Sequence, residues 1–155
     1  MGISKSKFIA GLNCEKRLFL EVNHPEWKTP ISSDQESKFN LGNRVGALAQ
    51  ERFPGGVNAE PQGERNFKDW INSTRVFLDE KRPVIYEAAF SFEGSFCALD
   101  ILVREADDIV AIEVKSSKEA KEIYVLDAAY QYHVMSQLGF QPTRFYLLLI
   151  DGTYV

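Results

Sequence analysis

Glu113 and Lys115 stand two apart in "IVAIEVKSS" (residues 109–117), an acid and an amine inside an otherwise apolar run. Val110, Ile112 and Val114 alternate through that run as one face of a strand turned to a core should. The opposite face of the same strand then carries an acid and an amine. Asp100 stands in a second strand-like run, "SFCALDILV", and Glu87 in a third, "VIYEAAFSF". "EG" (Glu93, Gly94) and "EADD" (Glu105 to Asp108) read as the hairpin turns between the runs.

Those turns set a register. With Phe92 opposite Ser95, Glu87 falls opposite Asp100; with Arg104 opposite Ile109, Asp100 falls opposite Glu113. Glu87, Asp100 and Glu113 thus share one row across three antiparallel strands, with neighbouring β-carbons ~5 Å apart. Ala89, Ala98 and Lys115 make the next row on that face. The reverse face is apolar in three rows: Val84, Val103 and Val110; Tyr86, Ile101 and Ile112; Ala88, Leu99 and Val114. It is the expected core. Like charges ~5 Å apart repel by about 3 kcal/mol at an effective dielectric of roughly 20, so the row needs compensation. On register alone two accounts stand open. A hard divalent cation, Mg²⁺ or Mn²⁺, takes carboxylates, waters and phosphate as ligands; alternatively the face is solvated and its acids pair with Lys115 and Arg104.

Helices and a further strand can be read around this row. Phe8, Ile9, Leu12 and Phe19 in "KSKFIAGLNCEKRLFLEV" are spaced as one helical face, with Ser4 or Ser6 as N-cap. Ser33 with Glu36 reads as a capping box opening a helix over residues 33–53, ended by "PGG". A third helix fits residues 65–81, and a long one residues 119–138, closed by Gly139. "RFYLLLI" follows as a buried strand, parallel to its neighbour after a helical crossover. The expected fold class is α/β, with a small mixed sheet: a three-strand antiparallel meander plus a parallel strand, flanked by helices. Residues 1–155 read as a single domain, a natural small protein or the first part of a longer one.

Composition bounds the chemistry. A net charge of −4 argues against a simple basic nucleic-acid-binding module, though carboxylates gathered at a metal site would count toward such a total. Two cysteines make no disulfide framework and no run approaches a membrane span, so a cytoplasmic protein without membrane contact is expected. His24 and His133 lie far apart, which gives a catalytic triad or a histidine zinc site little to build on. No Gly-x-x-x-x-Gly-Lys loop occurs.

An acid in "ALDILV" followed by Glu-x-Lys in "AIEVKSS" resembles the PD-(D/E)XK nuclease superfamily. The chain is most similar to the RecB-like and CRISPR-associated exonuclease branch, on "NCEKRLFLE", "LGNRVGALAQERFPGG" and "AAYQYHV". The resemblance implies a restriction-endonuclease-like sandwich and Mg²⁺- or Mn²⁺-dependent hydrolysis of phosphodiester bonds, in DNA rather than RNA. It implies Asp100 and Glu113 as metal ligands, with the Val114 carbonyl as a third. Lys115 would orient or activate the attacking water or meet charge on the phosphate. Glu87 would extend the site to a second metal or tune it, and Gln131 would lie near the lysine and the nucleic acid. A core-edge glutamine bonded to backbone is the other reading of Gln131. The chain departs from the branch in three places. Gly42 is followed four residues on by Gly46, where the branch has a metal-binding histidine; Glu51 is a candidate substitute. Met135 stands where the branch's glutamine motif ends in tyrosine. Cys14 matches the early cysteine of members with an iron–sulfur cluster, but no late set follows, so no cluster is expected within this chain. The alternative is a catalytically inactive, nuclease-like module that binds nucleic acid or serves a larger protein.

Overall fold

The computed structural model describes residues 2–64, 66–106 and 108–153. Helix α1 (Lys5–Asn13) begins where the Ser4 hydroxyl accepts from the Lys7 amide. It does not continue as one helix through "CEKRLFLEV". Cys14 is extended at φ −166° and divides α1 from α2 (Glu15–Asn23). Leu18 packs over Gly11 at the corner: a β-carbon there would stand 2.8 Å from Leu18 Cδ2, so the glycine lets α2 approach α1 without displacing that side chain. A short 3-10 turn, Pro25–Trp27, leads on to α3 (Ser33–Glu51). The capping box of α3 sits one residue earlier than its sequence pattern, on Ser32 and Gln35, whose side chains each accept from the other's amide.

The sheet has five strands in the order β1 (Val57–Asn58), β2 (Val84–Phe92), β3 (Ser95–Glu105), β4 (Asp108–Lys115), β5 (Arg144–Leu149). The β2–β3–β4 meander is antiparallel and both outer strands are parallel to their neighbours. The expected registers hold: Phe92 faces Ser95, Tyr86 faces Ile101, Arg104 faces Ile109 and Ile101 faces Ile112. Strand β1 is an addition to the expected sheet, because two residues are too short for a period to show. Its pairing puts Asn58 beside Tyr86, and the Ala59 amide donates to the Tyr86 carbonyl.

Past β1, helix α4 (Phe67–Asp79) takes over the open edge of β2. Trp70 Nε1 donates to the Glu87 carbonyl and the Thr74 hydroxyl accepts from the Ala89 amide. A backbone edge that would otherwise be buried without partners is thereby satisfied. Asn66 caps α4; the expected start at Arg65 lies outside the described residues. Helix α5 (Glu122–Gln137) is the crossover to β5, and Gly139 follows it at φ +81°, a left-handed position that suits glycine.

One expectation is corrected. The core is not confined to the face opposite the acids. Val84, Ile101, Val110 and Ile112 pack with Ala49 and Phe53 of the α3 side. Ile85, Ala89, Leu102 and Ala111, on the acids' own face by alternation, are equally buried, with Trp70, Leu78, Val134 and Met135 from α4 and α5. Ala88 and Leu99 join this second cluster. A sheet flanked by a crossover helix buries both faces, so Glu113 is buried and Asp100 and Glu87 are half-buried beside apolar neighbours. Among the described residues no helix is long and apolar enough to cross a membrane.

Candidate active site

The acids meet where the sheet opens. The β3–β4 pairing ends at Ile101 and Ile112, while β4 continues beside β5 through Lys115. Asp100 and Glu113 are therefore the first pair past the last rung. Asp100 uses the gap: its Oδ2 accepts from the Val114 amide at 2.6 Å, a side chain standing in for a strand partner. On β2, Glu87 is held at φ +53° and is skipped by the pairing with β3, although the register resumes at Ala88. A non-glycine residue there is strained by about 1–3 kcal/mol. The Trp70 indole, bonded to the Glu87 carbonyl at 2.6 Å, helps to hold it.

These residues line one cavity of about 450 Å³. Glu87, Asp100, Glu113, Val114 and Lys115 form its sheet wall; Asn58 and Glu60 close one end. The facing wall is α3, through Gly42, Asn43, Gly46, Ala47 and Gln50. Nothing lies within 4 Å of where a β-carbon of Gly42 or Gly46 would stand, so at these two positions the wall has room in front of it. Tyr86 fixes the end of α3 against the sheet: its hydroxyl donates to the Phe53 carbonyl at 2.5 Å and accepts from the Gly56 amide. Glu51 lies outside this cavity. It is exposed at the end of α3, and its neighbour Gln50 is the one that lines the cavity.

Behind the wall is a buried charge cluster. Glu113 is 2 % exposed, and its Oε1 accepts from both Lys115 Nζ at 2.7 Å and Lys5 Nζ at 2.9 Å. Its Oε2 accepts from Gln131 Nε2 at 2.8 Å. Gln131 is fully buried and also reaches Asp127 Oδ1 at 3.3 Å, while Lys115 Nζ bonds Asp127 Oδ2 at 2.5 Å. Gln131 is therefore bonded to two carboxylates and not to backbone. Sequence reasoning missed Lys5 and Asp127. Asp127 had a signal, one helical turn before Gln131 on the same stripe; Lys5, over a hundred positions from Glu113, had none.

The two groups of acids differ in electrostatics. Burial works against charge on Glu113, but Lys5 and Lys115 outweigh it and hold the carboxyl below its usual range. Lys115 goes up, since Glu113 and Asp127 overcome its own burial; it is an ammonium. Among the described residues neither Asp100 nor Glu87 forms an ion pair, and the lysines that hold Glu113 offset their burial only in part. Burial, then repulsion from Glu113, pushes Asp100 up to about 7; burial, then repulsion from Asp100, pushes Glu87 up to about 7. Two carboxyls in one cavity, neither held by a direct ion pair among the described residues, are the oxygen ligands a hard cation could use.

The fit is specific in its limits. Among the described residues no three His, Cys, Asp or Glu side chains are gathered at metal-ligand spacing. The expected row of Glu87, Asp100 and Glu113 is present on the cavity wall, but two ammoniums and the Gln131 amide already occupy most of the Glu113 carboxylate. Of its roughly four lone-pair positions, one remains, on Oε2. Mg²⁺ commonly uses one or two carboxylates, completing its shell with water and phosphate. Asp100 and Glu87 suit that pattern. Cys97 is fully buried opposite Phe90 in the core, and its thiol is pushed up to about 12 by burial; Cys14 is exposed. No protein-family model matches the chain, and no curated protein matches it either.

Proposed function

We propose that the chain is a metal-dependent phosphodiesterase of the PD-(D/E)XK type, with a restriction-endonuclease-like fold, that hydrolyses DNA. The observation that carries this reading is the convergence of Glu87, Asp100, Glu113 and Lys115 on one cavity wall where β3 and β4 part.

Asp100 and Glu87 would hold Mg²⁺ or Mn²⁺, with Val114 at the same rim and Glu113 contributing through Oε2. The bound ion would polarise a phosphoryl oxygen and lower the pKa of a bound water. Lys115 lines the cavity as an ammonium, so it acts as a donor and not as a general base. It would orient the attacking water or meet the charge that grows on the phosphoryl oxygens. Gln131 keeps Glu113, and through it Lys115, in place. The room in front of Gly42 and Gly46 on α3 gives a sugar-phosphate backbone space opposite the acids.

A second reading, a nuclease-like module that binds nucleic acid without cutting it, is favoured by one observation: Glu113 already carries two ammoniums. Incubation of single- and double-stranded DNA with Mg²⁺ or Mn²⁺ separates the readings. Cleavage by the wild type that is lost in both Asp100→Asn and Lys115→Met supports the enzyme. DNA binding without cleavage, at any divalent ion tried, supports the module.

A further inference from the structure

We infer that Lys5, from the first turn of α1, is a positioning residue of this site: it keeps Glu113 Oε1 paired, so that this carboxylate offers the metal only Oε2, and leaves Lys115 free to serve the substrate. The inference rests on the metal-dependent reading above.

The N-terminal segment is fastened along β3. The Phe96 amide donates to the Ile3 carbonyl at 3.1 Å, Ser4 bridges to Phe96, and the Tyr130 hydroxyl donates to the same Ile3 carbonyl. Phe8 stacks on Tyr130 with ring centroids 4.7 Å apart, fixing α1 against α5. With residues 3–8 held in this way, Lys5 points inward. Its Nζ sits 2.9 Å from Glu113 Oε1, 3.9 Å from Asp127 Oδ1 and 3.4 Å from the Ala98 carbonyl, with a quarter of the side chain exposed. Immobilising a long, flexible lysine costs rotamer freedom, so an ammonium placed there must be offset by what it touches.

Lys5 and Lys115 share the same two carboxylates but differ in access. Lys115 lines the cavity and Lys5 does not. If Lys115 turned to a phosphoryl oxygen with no second ammonium behind it, Glu113 and Asp127 would be left buried and unpaired, a large penalty. Lys5 removes that penalty by staying. It also occupies the Glu113 oxygen that could otherwise close around the ion, directing the metal to Asp100 and Glu87. Two lysines on one glutamate oxygen are thus a division of labour: one holds and one works.

The test is calorimetric titration of Mn²⁺ alone, at low salt, into wild type, Lys5→Gln and Lys5→Arg, with exposed Lys16→Gln as a control for overall charge. Losing a nearby positive charge and freeing Glu113 should make Lys5→Gln bind Mn²⁺ about tenfold more tightly. Lys5→Arg and Lys16→Gln should stay within about twofold of wild type, the latter because distant exposed charge is screened. A purely structural lysine would leave the affinity unchanged or weaken it. Lys5→Met keeps the aliphatic stem and carries the same expectation if Lys5→Gln does not fold. Equal affinities in wild type and the neutral variants would overturn the role given to Lys5 alone. No Mn²⁺ heat in any of the proteins would overturn the metal reading itself, and this inference with it.

Discussion

Replacing Asp100 by asparagine should stabilise the metal-free protein at alkaline pH and lose that effect in acid. Asp100 is pushed up from 3.8 to about 7, chiefly by burial and then by Glu113. At about 1.4 kcal/mol per unit, ionising it in the fold carries a penalty of up to about 4 kcal/mol. Part of that is repulsion shared with Glu87, itself raised to about 7. Solvent in the open cavity screens more of it, so a single substitution should recover about 2 kcal/mol. The sign follows from proton counting. Between the unfolded value near 4 and the folded value near 7, the native state holds the extra proton, so stability falls as pH rises through that window and stays low above it. The asparagine side chain would keep an oxygen for the Val114 amide, so the substitution changes charge with little change in geometry. Urea unfolding of both proteins at about pH 8 and about pH 4, at equal ionic strength, reads the difference directly. The variant should gain about 2 kcal/mol at the higher pH and little at the lower. Mn²⁺ should then stabilise wild type and not the variant. A variant less stable than wild type at about pH 8, or one with the same gain at both values, would refute a charge-starved carboxyl at this position.

Lys115→Met should reduce DNA hydrolysis by a factor on the order of 10² or more while Mn²⁺ still binds, read by single-turnover cleavage beside calorimetry. Gln131→Leu leaves Glu113 Oε2 buried without its donor and should cost about 1–3 kcal/mol in urea unfolding, with no change if the amide contributes nothing. Glu87→Gln should weaken Mn²⁺ by about tenfold or more, whereas Glu51→Ala, outside the cavity, should leave the affinity within about twofold.

Much of the arrangement was legible because a hairpin of known turn length has few registers. Glu93 and Gly94, both at positive φ, form the two-residue turn that their types announce, and once Phe92 faces Ser95 the position of Glu87 relative to Asp100 follows. The same reasoning carried Asp100 to Glu113. It failed where backbone register does not decide where side-chain atoms go. Alternation put Glu113 in the row but could not show that two lysines and Gln131 already occupy most of its carboxylate. Lys5 was invisible because its partner is on a distant strand and its local pattern is that of any first helical turn. The split at Cys14 was missed because the apolar spacing of Leu12 and Phe19 fits one helix, whereas the close approach of Leu18 to Gly11 favours two. Glu51 was one residue out: Gln50, not Glu51, lines the cavity, a difference of about 100° around a helix that spacing from Gly46 could not fix.

The site as drawn stands on a divalent ion lodging between β2 and β3 at the mouth of the cavity. Crystals soaked in Mn²⁺ and measured for anomalous scattering would locate it. Expected is a peak about 2.1 Å from a carboxylate oxygen of Asp100 and of Glu87, with Lys5 still on Glu113. A strongest peak elsewhere, or none in the cavity while Asp100 and Glu87 remain accessible, would contradict it.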